Sequence, residues 1–184
     1  MEIKATLDKP YTEEQRTNFI VQYNHNLGYE IRETNLALEA WGYTTEELFE
    51  QAKQTKYAEA NTKAFEYLES GEAVFEYEEG KSIEATDGNI AKLGLYLVKF
   101  LMSEDYTSTI EWNTKENENV QLNAEQLSYI TEGLGAIQSE VWTVKFPAYN
   151  ARIANAETKA EVEAILINYS VEFPPATESE EEEE

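Results

Sequence analysis

The chain contains no cysteine. Disulfides, thiolate metal sites and cysteine nucleophiles are therefore excluded. Histidine is almost absent too. His25 is the single one, set between Asn24 and Asn26 near a predicted helix end. Catalytic imidazoles work with an oriented second group, and no partner spacing accompanies His25. It reads as a helix-end residue, where imidazolium opposes the C-terminal dipole. Long apolar runs are missing as well. The longest, Leu93 to Val98, meets Lys99 before Leu101-Met102, far short of the ~20 residues that cross a bilayer. The opening MEIKATLDKP has no apolar core, so no secretion signal is expected. Basic residues are scarce, 14 against 37 acids, for a net charge of −23. Such a surface repels nucleic acid and anionic lipid. It predicts no direct nucleic-acid binding and no membrane association, and it reads first as a solubilising charge.

Phosphate and metal motifs are missing. There is no Walker loop and no Gly-x-Gly-x-x-Gly; Gly133-Leu134-Gly135 lies within a helical pattern and reads as a site of close backbone approach. Glu84-Ala85-Thr86-Asp87-Gly88 lacks the Asp-x-Asp spacing and bidentate glutamate of a calcium loop. With 37 carboxylates in the chain, two acids falling close together say nothing of glycosidase or two-metal chemistry. The sequon Asn168-Tyr169-Ser170 carries no meaning without secretion. No catalytic, cofactor-binding or metal-binding residue is expected, and no cofactor.

What is present is regular patterning. Ile3, Ala5 and Leu7 alternate with polar residues as in a strand. Thr12 to Gln15 has capping-box spacing and opens a helix to about Asn26, with Phe19, Ile20, Tyr23 and Leu27 inward. Gly28 stands where a left-handed residue closes such a helix, and Tyr29 to Arg32 alternates as a second strand. Asn35 to Trp41 is expected to form two helical turns, pairing Leu38 with Trp41 and ending at Gly42. Thr44 and Glu47 cap a helix to Glu69 whose thin alanine stripe suggests a connector.

Val74–Tyr77 and Ser82–Thr86 read as a hairpin about Glu79-Gly80. A helix follows with Ile90, Leu93, Leu97, Phe100 and Leu101 inward. Thr107–Trp112 and Val120–Leu122 are paired strands around a polar turn. Asn123 caps a long helix with the stripe Leu127, Ile130, Leu134, Ile137, Val141 and Val144, in which Pro147 predicts a kink or break near Lys145-Phe146. Thr158 caps a last helix with Val162, Ile165 and Leu166 inward. The expected fold is α+β. A small N-terminal β-α-β unit with a short helix covers 1–43, a linking helix 44–71, a β-β-α-β-β-α-α module 72–170, and an acidic disordered tail 171–184. The aromatic residues Trp41, Tyr43, Trp142 and Phe146 are the candidate partner surface, with core burial the default for the tryptophans.

Two stretches carry a family resemblance. Leu7-Asp8-Lys9-Pro10-Tyr11-Thr12, the Arg16, Phe19, Ile20 face, Gly28-Tyr29-Glu30-Ile31 and Ala40-Trp41-Gly42-Tyr43-Thr44 resemble the N-terminal module of uncharacterised phage and prophage proteins encoded among tail genes. From Val74 to Asn168, the chain is similar to an uncharacterised domain of phage tail-fibre-associated proteins. That likeness rests on Ile110-Glu111-Trp112, Asn117-Glu118-Asn119, Val120 to Leu127, and the Ile153, Thr158, Glu161-Val162, Ile165 pattern; Pro147 departs from it. The resemblance implies a non-enzymatic protein of a phage tail module, a virion component or assembly factor. Its partners would be other phage proteins or itself, and its place the host cytoplasm or the virion. The acidity opens an alternative: an inhibitor that mimics nucleic acid and occupies a basic host defence protein, such as a restriction or CRISPR effector.

Overall fold

The computed structural model describes residues 1–171. The chain divides into two compact units: Met1–Thr55 with Glu157–Glu163, and Lys56–Ala156 with Ala164 onward. Beyond Val171, the tail expected over 171–184 lies outside the described residues. The architecture is α+β, with one three-stranded and two two-stranded antiparallel sheets.

The first unit is built on β1 (Glu2–Asp8), α1 (Glu13–Ile20), β2 (Glu30–Glu33) and β3 (Ala37–Gly42). The capping box forms: Thr12 accepts from the Gln15 amide at 3.2 Å, and the Gln15 side chain accepts from the Thr12 amide at 2.8 Å. The helix runs on as a π-helical turn, Val21–His25, and Gly28 closes it at φ +70°. Leu27, expected inward, is exposed, because the wider turn changes the facing of the residues after Ile20.

The segment expected as two helical turns is instead β3, the central strand of order β1-β3-β2. It runs antiparallel to both neighbours, so β1 and β2 are not adjacent and the simple β-α-β unit gives way to β-α-β-β. Leu, Ala and Glu favour a helix by propensity, but two ladders of backbone hydrogen bonds override so weak a preference. The turn is fixed by Thr34, whose hydroxyl accepts from the Ala37 amide at 3.0 Å while the Thr34 amide donates to the Ala37 carbonyl at 2.8 Å. Leu38 and Trp41 thus point to opposite faces. Leu38 and Ala40 are buried with Phe19, and Tyr23 and Ile31 pack against them.

Helix α2 (Thr45–Glu69) opens with the expected capping box between Thr44 and Glu47. The division between units falls inside it, at Thr55 and Lys56. Ala60, Ala64 and Leu68 are buried in the core of the second unit, so its alanine stripe is a packing face; small residues there let neighbouring elements approach closely.

The second unit continues with β4 (Val74–Glu78), β5 (Lys81–Glu84), α3 (Asp87–Ser103), β6 (Ile110–Asn113), β7 (Asn119–Leu122), α4 (Ala124–Ser139) and α5 (Phe146–Asn155), while α6 (Lys159–Ala164) falls, but for Ala164, in the first unit's Glu157–Glu163 segment. The core of the second unit gathers Ile83, Leu93, Leu122, Leu127, Ile130 and Ile153, all essentially inaccessible. Each such side chain contributes roughly 1.5–3 kcal/mol of burial.

Pro147 does not break the long helix. A π-helical turn, Glu140–Lys145, joins α4 to α5. The Phe146 amide donates five residues back, to the Val141 carbonyl, and the proline, having no amide hydrogen, follows as α5 begins. The wider turn rotates the register. Val144, expected inward, is 55% exposed, and Lys145 takes the inward position at 7%. Leu101 and Leu166, also expected inward, are exposed. Leu101 lies off the Leu93–Phe100 face of α3, and Leu166 lies past the end of α6. Gly133 does mark a close approach, since an added Cβ would stand 2.4 Å from the Phe75 ring; around Gly135 nothing lies within 4 Å.

Candidate partner surfaces

Trp41 and Tyr43 belong to the first unit, Trp142 and Phe146 to the second. Trp41 lies on the face of its sheet opposite Leu38. Its indole nitrogen donates to Glu39 Oε2 at 2.8 Å. The Arg32 guanidinium sits 4.7 Å from its ring centroid and is itself held by Glu30 at 2.9 and 3.1 Å. Cross-strand register explains the grouping, because Glu30 is opposite Trp41 and Arg32 opposite Glu39. Trp41 is therefore a half-buried member of a closed polar cluster, with its ring already covered by a cation.

Tyr43, by contrast, is exposed. It borders a cavity of about 280 Å³ shared with Lys4, Leu27, Tyr29 and Leu48. Gly42 permits this shape: an added Cβ would meet the Tyr29 ring at 2.9 Å.

The second pair is brought together. Trp142 meets Phe146 edge-on at 5.5 Å and Phe65 at 4.8 Å. Trp142 and Phe146 are half-buried while Phe65 is exposed. Phe65, contributed by α2, was not foreseen.

A polar cavity of about 200 Å³ lies beneath the β6–β7 hairpin, lined by Glu84, Asn89, Trp112, Asn113, Lys115 and Asn117. Two of its donors are already engaged: Asn89 Nδ2 donates to the Glu84 carbonyl at 3.1 Å, and Lys115 Nζ to the Gly71 carbonyl at 2.7 Å. The hairpin is tied down beside it by Glu116, which accepts from the Ser82 amide at 3.0 Å and from the Ser82 hydroxyl. These hydrogen bonds hold its carboxyl down at about 2. The cluster is architectural.

The surface that sequence reasoning missed is the outer side of α3. Its inner face, Leu93 and Phe100, is buried in the core, with Ile90 and Leu97 packed against it. On the other side Leu95 is 71% and Met102 83% exposed, with Val98, Leu101 and the nearby Tyr106 also open. Ala91, Leu95, Val98 and Met102 follow a 4-3-4 spacing, which places them on one stripe. An apolar stripe on a helix is ordinarily turned toward a core or a partner. The signal was legible in the unbroken run Leu93 to Val98, which an amphipathic surface helix does not need.

His25 is exposed at the end of its π-helical turn. Among the described residues no group of three or more acids or histidines is arranged to hold a metal ion, and no helix is long and apolar enough to cross a membrane. No protein-family model, curated protein or solved structure matches the chain.

Proposed function

We propose that this protein acts by contact with another protein, not by catalysis, as a virion component or assembly factor of a phage tail module in the host cytoplasm. The observation that carries the contact reading is the bare apolar stripe of α3, opposite a face already committed to the core. Exposed contiguous apolar surface of this kind marks interaction sites. The tail assignment draws its support from the resemblance carried by Leu7–Thr12, Ala40–Thr44 and Val120–Leu127. A photoreactive residue at Leu95, introduced in phage-producing cells, should crosslink to tail proteins; one at Glu79, on the β4–β5 turn, should not. Mass spectrometry of purified virions separates component from assembly factor. No crosslink at Leu95, together with absence from virions, overturns the proposal.

The acidic-inhibitor reading draws on the net charge of −23. On α2, however, lysines are interspersed among the acids, and Glu59 is bridged by both Lys56 and Lys63 at 2.8 and 3.1 Å. A phosphate mimic needs uncompensated carboxylates. Binding to restriction or CRISPR effectors at low salt would support this reading, and its absence would end it.

A further inference from the structure

The chain has 14 lysines and arginines among 37 acids. Nearly all the cations are engaged within the described residues. Lys4, Lys9, Arg16, Arg32, Lys56, Lys63, Lys81, Lys145 and Lys159 have carboxylate partners. Lys115 donates to a carbonyl, and Lys53 and Arg152 also have interactions. Among the described residues no such partner is seen for Lys92 or Lys99, both exposed on α3. In so acidic a chain, chance would leave carboxylates unpaired long before lysines.

The two lysines are one heptad apart, so they lie on the same flank of the Ala91, Leu95, Val98, Met102 stripe. The other flank carries Gly94 and Leu101. No acid occurs from Gly88 to Ser103. Beside the stripe, on the Leu101 flank, Leu101 and Tyr106 border a cavity of about 370 Å³ shared with Leu97, Ala124, Glu125 and Ser128, with room for an apolar anchor side chain.

Resting on the contact reading above, we infer that the outer face of α3 seats an amphipathic helix of another protein whose apolar stripe is flanked by carboxylates one heptad apart. The stripe supplies burial. Lys92 and Lys99 set the side and register of the partner by charge complementarity. A second copy fits poorly: pairing α3 with itself antiparallel sets lysine flank against lysine flank, and each copy brings a net −23.

The test uses the full chain and two synthetic helical peptides with the same leucine heptad stripe, one flanked by glutamate and one by lysine, followed by fluorescence anisotropy. The glutamate peptide should bind roughly fivefold tighter at about 0.15 M salt, where the charge of the rest of the chain is largely screened, the worth of two exposed ion pairs. Salt near 1 M should erase the difference. Lys92→Glu with Lys99→Glu should reverse the preference. Leu95→Glu should abolish both bindings with the urea midpoint unchanged. Equal affinity for the two peptides, or no binding, overturns the inference. So does a wild-type dimer in sedimentation that Leu95→Glu dissolves, which assigns the face to a second copy. Binding that appears only after removal of residues 172–184 assigns it to the chain's own acidic tail. Crosslinks at Leu95 in cells combined with equal peptide affinities would retain the contact reading and overturn the carboxylate flank alone.

Discussion

Tyr169 ties distant parts of the second unit together. Its hydroxyl donates to the Ala60 carbonyl at 3.1 Å, across 109 positions of sequence. Its own carbonyl accepts from buried Lys145 Nζ at 2.9 Å, and its ring meets Tyr149 edge-on at 5.2 Å. Burial, with a smaller effect of Tyr149, pushes its phenol up to about 12. A raised value means the folded state resists ionisation. This contribution is complete below the ordinary tyrosine value near 10 and is lost as pH climbs through about 12. Tyr169→Phe should lower stability by about 1 kcal/mol at neutral pH, read from the urea midpoint. It should also flatten the loss of stability in that alkaline window. Glu116 has the opposite sign. Its carboxyl is lowered to about 2, so its support is full above the ordinary carboxylate value of 4.5 and disappears as pH falls through about 2. Amide exchange in the β6–β7 hairpin should be faster in Glu116→Gln than in the wild type at pH 7, and that gap should close as pH approaches 2. Neither role is visible in the sequence, because each depends on a partner that only the fold brings near.

Within elements, the two α4 glycines separate packing from propensity. Gly133→Ala drives a methyl into the Phe75 ring, which is itself packed edge-on against Tyr129 at 5.3 Å. Thermal unfolding should show a net loss of about 1 kcal/mol after the helix-propensity gain. Gly135→Ala meets nothing and should gain up to about 1 kcal/mol. Caps were legible, since a capping box is local chemistry: those of Thr12, Thr44 and Asn123 all form. Strand β3 was not, because Leu36 to Trp41 has helical composition and becomes extended only between two partner strands. The exchange of Val144 for Lys145 was hidden for another reason: a 3.6-residue period carries no trace of a π-helical turn. Of the candidate aromatics, the Trp142–Phe146 grouping was within reach of i, i+4 spacing. The ring over which Arg32 lies could not be read without the cross-strand register.

For the whole molecule, charge is the controlling variable. A net −23 destabilises the compact state by self-repulsion, which salt screens. The melting temperature should therefore rise between about 0.01 and 0.5 M salt, opposite to the trend for a fold held by surface ion pairs; a fall would show that bridges such as those to Glu59 outweigh the repulsion. The α+β class and the element order of the second half were legible because local periodicity dictates them. The division into units was not, because it falls inside the single unbroken helix α2 and the chain later returns to the first unit at Glu157. The first unit takes in Met1–Thr55 and then Glu157–Glu163, and the second resumes at Ala164, so the two alternate along the chain. On a ribosome, which extends a chain from its N-terminus, the unit begun first stays incomplete until the chain returns to it at Glu157–Glu163. It waits for more than a hundred intervening positions to be made. No single cut in the polypeptide can release both units whole.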